Sequence, residues 1–127
     1  MTQFIMDGKE FNVHVMSLTR SFTVKDGLSP STAQSGAIYR DLVGTYYDYQ
    51  ITVSEKDGDR AALEAFWEAV SKPVNSHVCV FPYGQKTLTQ RMYVTKGKQN
   101  IRRLYTDRAE WDDITVSFIA NEPKVIP

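Results

Sequence analysis

The sequence predicts an α+β fold, a mostly antiparallel β-sandwich or partly closed barrel of about seven strands with one amphipathic helix. Three observations support this class: apolar and polar residues alternate over much of the chain, a single segment has helical spacing, and turn residues separate the alternating segments. One helix cannot cover both faces of so large a sheet, so the strands are expected to form two packed sheets or a partly closed barrel, with the helix on one side.

Strands account for most of the first half of the chain. The turn Asp7-Gly8 predicts a short opening hairpin from Phe4 onward, and strands are expected at residues 10–16, 21–24, 37–41 and 45–54. In the first of these, Phe11 and Val13 alternate with Asn12 and His14. Residues 28–36 hold proline, glycine and four hydroxyl residues, which indicates a long surface loop.

The one helix follows an acidic turn, Lys56-Asp57-Gly58-Asp59, in which Asp59 is placed as the N-cap. The apolar residues at i, i+3, i+4 and i+7 are expected to anchor the helix on the core; they are Leu63, Phe66, Trp67 and Val70. Lys72-Pro73 ends the helix, because proline lacks an amide donor. Truncating Trp67 to alanine is expected to cost about 3–5 kcal/mol of stability.

Further strands are predicted at residues 77–81, 87–95, 99–106 and 113–120. Pro82-Tyr83-Gly84 predicts a turn, Lys96-Gly97-Lys98 a tight hairpin, and residues 107–112 the last connection. The tail, residues 121–127, carries two prolines and is expected to be extended. With 127 residues, the chain has a common size for one domain, so residues 1–127 are read as a single domain.

Composition argues against several functional classes. Lys plus Arg and Asp plus Glu are both 15, so no net charge favours nucleic acid or an anionic membrane as partner. No apolar run has the length of a membrane-spanning helix, and the start of the chain lacks the pattern of a signal peptide. The single cysteine, Cys79, excludes an intrachain disulfide and the paired-thiol zinc motifs.

No group of residues has the spacing of a catalytic or metal site, so the sequence predicts a protein that is not an enzyme and has no cofactor. His14 and His77 have no Cys, Asp or Glu at ligand spacing, and His14 is expected to face solvent. Cys79 lies between two valines and is expected to be a buried hydrophobe. The adjacent Asp112 and Asp113 are interpreted as a turn before the last strand.

Charge separation and an excess of aromatic residues instead suggest an assembly interface. A basic group, expected around the predicted hairpin, comprises Lys96, Lys98, Arg102 and Arg103, and an acidic group before and on the helix comprises Glu55, Asp57, Asp59, Glu64 and Glu68. They are interpreted either as solvated surface or as complementary patches on opposite sides of a subunit. Tyrosines on adjacent strands exceed what a small core requires and are typical of interfaces; they are Tyr39, Tyr46, Tyr47 and Tyr49.

Part of the chain resembles a known class of proteins. The pattern begins with residues 39–49, Tyr-Arg-Asp-Leu-Val-Gly-Thr-Tyr-Tyr-Asp-Tyr, which precede a strand, an acidic turn and the helix. It continues after the helix with Lys72-Pro73 and with residues 77–83, His-Val-Cys-Val-Phe-Pro-Tyr. This pattern, about half of the chain, resembles the small tail and baseplate proteins of long-tailed bacteriophages and of prophages in Gram-positive bacteria.

The resemblance implies a domain similar to the tail-tube fold, a β-sandwich flanked by a helix that also occurs in distal tail proteins and baseplate hubs. It further implies assembly with copies of itself or with other phage tail proteins, and a location in the virion tail after synthesis in the bacterial cytoplasm. Residues 28–36 and 121–127 would grip neighbouring subunits. Distal tail proteins normally carry a second domain, for which 127 residues leave no room. The resemblance therefore implies a tube subunit, a terminator or a short baseplate adaptor.

A second hypothesis is a β-barrel or β-sandwich module that binds a small ligand, with the tyrosines lining its pocket, and an adaptor domain is a further alternative. Neighbouring genes distinguish these hypotheses: tail-assembly genes favour the first, and metabolic genes favour the second.

Overall fold

A computed structural model describes residues 4–26, 31–32, 36, 38–39 and 42–126. It shows a mostly-β α+β fold, a six-stranded antiparallel sheet with one helix, which confirms the predicted class at this level. The elements are β1 Ile5–Met6, β2 Val13–Asp26, β3 Ser31–Thr32, β4 Ile38–Tyr39, β5 Leu42–Glu55, α1 Arg60–Val70, β6 His77–Tyr83, β7 Lys86–Leu104 and β8 Ala109–Ala120. The sheet order is β1-β6-β7-β8-β5-β2, and β3 and β4 form a separate ladder. Among the described residues the sheet does not close, and β1 and β2 are its edges.

The start of the helix is as predicted. Asp57 and Gly58 adopt positive φ angles of 53° and 75°, which form the turn after β5. Asp59 then caps the helix, because its Oδ1 accepts a hydrogen bond from the Ala62 amide at 3.0 Å and satisfies one of the free donors of the first turn. Its Oδ2 accepts a second bond from Asn12 Nδ2 at 3.0 Å, which ties the helix start to the segment before β2.

The helix packs its apolar side onto one face of the sheet. Phe66 is completely buried and contacts the rings of Phe4 and Phe11 edge to face. Leu63 and Val70 are also buried, whereas Trp67 is only partly buried. All four predicted anchor residues thus pack on the core, and Phe66 rather than Trp67 is the most deeply buried.

An aromatic cluster shows that the sheet is strongly curved. Two strands separate β5 from β6 in the hydrogen-bonded order, so a flat sheet would hold them about 14 Å apart. Nevertheless the rings of Tyr49 on β5 and Phe81 on β6 stack in parallel, with centroids 4.3 Å apart. Phe118 on β8 and Phe4 before β1 complete the cluster. The helix-bearing face is therefore concave, and its core is filled by these rings.

The two short strands predicted between residues 10 and 24 are one strand, β2, which pairs with β5 over its whole length. The intervening residues Ser17, Thr19 and Arg20 follow no simple apolar alternation, which is why the sequence suggested a break. The register shifts between Val15 and Ser17, and this bulge lets the strand continue after Met16. Of the strand predicted at 37–41, residues 38–39 belong to β4, and the others lie outside the described residues.

The predicted tight hairpin at Lys96-Gly97-Lys98 is wrong. These residues lie inside β7, which runs for 19 residues and pairs with β8 on both sides of Gly97. Gly97 has no positive φ and is exposed, and a Cβ placed on it would make an ordinary contact of 3.5 Å with Val116 Cγ2. Glycine here occupies an exposed strand position rather than a turn.

Two other connections are shorter than predicted. Strand β8 begins at Ala109, so Asp112 and Asp113 are strand residues and not a turn. Strand β6 extends through Tyr83, and its turn is centred on Gly84, which has a φ of 60°. In both cases cross-strand pairing extends the strand into residues that favour turns locally.

The opening turn at Asp7-Gly8 is confirmed, with φ angles of 53° and 77°. The hairpin itself is limited to a bridge between Met6 and Lys9, because β1 pairs instead with β6. Asp7 secures this pairing: its Oδ2 lies 2.7 Å from Nδ1 of the buried His77, and its Oδ1 accepts a bond from the Val78 amide at 2.8 Å.

Replacing Phe66 with alanine is expected to lower the free energy of unfolding by about 3–5 kcal/mol, because the ring is fully buried and its removal leaves a cavity. Trp67→Ala serves as the matched control and should cost clearly less, since Trp67 is partly exposed. Urea denaturation followed by circular dichroism measures both. An equal or greater loss in the tryptophan variant would contradict this assignment of the anchor.

The Asp7 clasp predicts a loss of stability in acid. Partial burial acts to raise the pKa of Asp7, but hydrogen bonds from His77 and the Val78 amide, with the charges of His77 and Lys72, outweigh burial and hold the pKa below 3.8. A carboxylate with a lowered folded-state pKa stabilises the fold above its unfolded pKa, and this contribution is lost as pH falls through the folded value. Asp7→Asn should therefore lower Tm at pH 7, and the difference from the natural protein should shrink below about pH 4. A constant difference in Tm from pH 7 to pH 3 would argue against an ionic role.

Candidate assembly interface

Two β arms extend past the core at opposite ends of the sheet. Strand β8 pairs with β5 only through residues 114–118, opposite residues 49–53 of β5. Residues 42–48 of β5 therefore continue past one end of β8, paired with residues 21–26 of β2; we call this pair the β2–β5 arm. At the other end, residues 109–113 of β8 continue past β5, paired with the end of β7 through residue 104; this pair is the β7–β8 arm.

Both arms carry exposed apolar side chains. On the β2–β5 arm, Phe22 is 69% exposed, and Val24 lies on the same face because alternate strand residues share a side. On the β7–β8 arm, Leu104 is 73% exposed and Trp111 is 49% exposed, opposite Ile101. Exposed apolar groups concentrated on projecting elements are typical of surfaces that contact other proteins.

The tyrosines of β5 have three different environments. Tyr49 belongs to the core and donates its hydroxyl hydrogen to the Pro82 carbonyl at 3.1 Å, so the interpretation of this residue as interface surface is wrong. Tyr47 accepts a hydrogen bond from the hydroxyl of Tyr83 at 3.2 Å. This hydrogen bond, together with desolvation and the Tyr83 charge, raises the pKa of Tyr47. Tyr46 lies at the arm surface with Lys25 Nζ 4.3 Å from its ring centroid. The side chain of Tyr39 lies outside the described residues.

The basic residues do not form one patch. Lys96 and Lys98 pair in register with Ser117 and Thr115 of β8, and Lys96 also lines a small cleft with Trp67 and Val70 of the helix. Arg102 lines a different cleft, beside the start of the helix, and forms an ion pair with Asp112 at 3.1 Å.

Arg103 donates a weak hydrogen bond to the Tyr105 hydroxyl at 3.4 Å and pairs in register with Glu110 near the end of the arm. The predicted basic hairpin is thus a continuous strand, along which Lys96 and Arg102 line different clefts.

The acidic residues surround the start of the helix. Glu55 forms an ion pair with Arg60 at 3.7 Å, and Glu64 is exposed one helical turn further on. Glu68 is exposed on the next turn, and Asp57 is exposed in the turn before the helix.

Glu55 and Glu64 line the same cleft as Arg102, and its volume is about 510 Å³. For these three residues the prediction of opposite sides is wrong: the β7–β8 arm curves beside the helix and brings Arg102 to the acidic group.

Hydrogen bonds fix the charges inside this cleft. A side-chain bond from Arg102 and a backbone bond from the Asp113 amide hold the pKa of Asp112 below its usual value, and the same ion pair raises the pKa of Arg102. Gln99 Nε2 also donates to the Asp112 carbonyl at 2.8 Å. The floor of the cleft therefore keeps a fixed arrangement of charge.

The tail is folded back onto the sheet. The Thr45 amide donates to the Val125 carbonyl at 2.9 Å, and the Lys124 amide donates to the Thr45 carbonyl at 2.8 Å. Glu122 forms an ion pair with Arg91 of β7 at 2.6 Å. Residues 121–126 therefore bridge the space between β5 and β7, and their contact with a neighbouring subunit stays a prediction. Of the loop at 28–36, most residues lie outside the described residues.

The described residues contain no group of three or more His, Cys, Asp or Glu side chains placed to hold a metal ion. His14 is exposed, as predicted. Cys79 is completely buried, also as predicted; burial, with the nearby charge of Asp7, raises the pKa of its thiol to about 12. A thiol with so high a pKa carries almost no thiolate at neutral pH, so it is chemically inert.

Sequence reasoning missed Phe22, Leu104 and Trp111 as surface residues. Phe22 belongs to a strand whose alternation resembles that of a buried strand, so its local pattern does not show that it lies beyond the core. Trp111 lay in a segment predicted to be a connection. The contacts that decide their exposure are long-range pairings between strands.

Comparison with known proteins gives no relative: no family model, no curated protein and no solved structure matches this chain. Among the described residues, no helix has both the length and the apolar character needed to cross a membrane.

Gly44 provides a test of the docked tail. Its φ is 151°, and a Cβ at this position would lie 2.7 Å from both Pro123 Cβ and the Val125 carbonyl oxygen. Gly44→Ala should lower the free energy of unfolding by about 1–3 kcal/mol through backbone strain, and should speed hydrogen exchange at the Thr45 and Val125 amides. Gly97→Ala is the matched control, because its nearest contact would be an ordinary 3.5 Å. Unchanged exchange at both amides in Gly44→Ala would contradict the tail position.

Proposed function

We propose that this chain is a structural subunit of a phage or prophage tail, as a tube subunit, terminator or baseplate adaptor, and that it acts by assembling with itself or with other tail proteins. The observation that carries the proposal is the pair of β arms, which present apolar side chains at opposite ends of the sheet. Surfaces at opposite ends of a subunit produce head-to-tail contacts, which close into rings or extend into tubes.

The outer edge of β2 supports the same proposal. Among the described residues, residues 13–23 of β2 pair only with β5, so their outer row of amide and carbonyl groups can pair with another chain. Long exposed edges promote association unless they are covered. In a subunit that assembles, a neighbour would cover this edge.

The curved sheet fits the finer architecture that the resemblance implies. Arg20 on β2 lies over the ring of Tyr83 on β6, with its guanidinium carbon 5.2 Å from the centroid, although three strands lie between β6 and β2 in the sheet. Because β2 and β6 approach each other in this way, we propose that the sheet is a partly closed barrel similar to the tail-tube fold. The resemblance in residues 39–49 and 77–83 adds the phage tail as the setting, the virion tail as location and tail proteins as partners.

The ligand-binding alternative has less support. The hydroxyl groups of Tyr47 and Tyr49 are engaged with Tyr83 and Pro82 rather than directed into a pocket. The concave face is filled by aromatic rings, and the cleft of about 510 Å³ beside the helix is lined largely by charged side chains. Nor does any described group of side chains suggest catalysis, so assembly is the better proposal.

Polar substitutions on either arm test the proposal. Phe22→Ser and Leu104→Ser should each weaken self-association by about tenfold or more while Tm changes little, because both side chains are exposed in the monomer. Val78→Ser is the matched control, since Val78 is 47% exposed but lies on neither arm. Sedimentation velocity over a range of concentrations measures association. A natural protein that stays monomeric at high concentration, alone and with the tail proteins encoded beside it, would refute the proposed function.

A further inference from the structure

The edge strand β1 covers part of the core. Its two residues pair in register with β6, where Met6 lies opposite Cys79. Phe4 and Met6 are almost completely buried, and the Phe4 ring contacts three other rings of the aromatic core. We call residues 4–7 the β1 lid. Few backbone pairs hold this lid on β6, so its two buried side chains and the Asp7 clasp supply most of its attachment.

A turn that can act as a hinge follows the lid. Asp7 and Gly8 both have positive φ angles, so the chain reverses direction directly after the lid. Beyond the turn, the Phe11 ring packs edge to face on Phe66, and Asn12 donates a hydrogen bond to the helix cap Asp59. The chain after the hinge is thus fastened to the helix independently of the lid. Local opening of an edge segment of this kind requires far less free energy than global unfolding.

One carboxylate fastens the lid to β6. Oδ2 of Asp7 lies 2.7 Å from Nδ1 of His77, and its Oδ1 accepts a hydrogen bond from the Val78 amide at 2.8 Å. His77 is 3% exposed, whereas half of the Asp7 side chain remains in contact with solvent. Because buried polar groups need hydrogen-bond partners, the position of the lid and the pairing of His77 are linked. Protons can still reach the carboxylate from the solvent side.

We propose that the Asp7 clasp is a proton-sensitive lock on the β1 lid, and that protonation of this carboxyl releases the lid while the rest of the fold stays intact. The closed lid holds the pKa of Asp7 below 3.8, and opening returns it to its ordinary value. The carboxylate therefore stabilises the closed lid above that value, and this contribution is lost as pH falls through the lowered pKa. Opening uncovers Cys79 and the edge of β6. It is a property of the monomer and is independent of the proposed assembly.

The other charged and titratable groups around the lock have different roles. The charge of Lys72, after the helix, favours the ionised form of Asp7. The thiol of Cys79 has a pKa of about 12 and is neutral in acid. Lys9, after the hinge, lies over the Phe11 ring, and Arg91, opposite Val78 on β7, forms an ion pair with Glu122 of the tail. Glu122 also titrates in acid but holds the tail rather than the lid, so it needs a control of its own.

Cys79 reports the opening, because it lies opposite Met6 and is completely buried while the lid is closed. Labelling of the full chain with a dipyridyl disulfide, a reagent that reacts with thiols in acid as well as at neutral pH, is measured from pH 7 to pH 3. Each rate is divided by the rate of the urea-unfolded chain at the same pH. The natural protein should label about tenfold faster near pH 3 than at pH 7, with unchanged circular dichroism, because the charged hydrogen bonds of Asp7 are lost.

Asp7→Asn removes the charge but keeps a side chain that suits the turn. This variant should label about tenfold faster than the natural protein at pH 7, and its labelling should depend little on pH. Asp57→Asn is the matched control, because Asp57 has the same φ of 53° before a glycine and lies in the turn before the helix. Glu122→Gln is the control for the tail. Both control variants should label like the natural protein.

Hydrogen exchange locates the opening in the natural protein and needs no variant. The amides of Asp7 and Val78, which bond between the lid and β6, should lose protection in acid, whereas the amides between β5 and β8 keep theirs. The lock is refuted if Cys79 labels no faster in acid, or only as the circular dichroism signal disappears. Equal loss of protection at both sets of amides, or a control variant that labels as fast as Asp7→Asn, would also refute it.

Discussion

The stacking of Tyr49 on Phe81 is the contact on which the rest of this fold depends. Tyr49 lies on β5 and Phe81 on β6, and two other strands lie between β5 and β6 in the sheet. Their contact therefore requires the sheet to curve. Phe118 and Phe4 fill the concave side next to the pair, and the helix seals it through Phe66. Burial of these large rings provides the main driving force, since aromatic side chains bury more apolar area than any others. The packed rings thus fill the concave side of a sheet whose strands β2 and β7 also carry bulges.

Curvature also decides which parts of the long strands remain outside. The concave core accommodates only the middle of β5, β7 and β8, and the remaining residues extend beyond it as the two arms. The tail fills the space that β8 leaves between β5 and β7, and the approach of Pro123 to Gly44 shows how closely it fits. Apolar residues that the core cannot cover, Phe22 and Leu104 among them, become surface. The same packing that stabilises the monomer therefore creates the surfaces that we assign to assembly.

Strand geometry also decides where the charged side chains lie. Lys96 lines a small cleft at the end of the helix, while Arg102 lies among the carboxylates beside the start of the helix. Basic residues that are close along β7 therefore lie in different surroundings.

Local patterns in the sequence determined the α+β class, the helix with its Asp59 cap and the buried position of Cys79. Each depends on residues that are close along the chain, such as the helical spacing from Leu63 to Val70, so the sequence alone was sufficient. The tertiary structure alone decided the length of β7, the docked tail and the division of the basic residues. Gly97 has the local character of a turn, but pairing with Val116 and its neighbours on β8 keeps it in a strand. Pairing between distant strands outweighs local propensity, because it buries side chains and satisfies backbone groups along the whole strand at once.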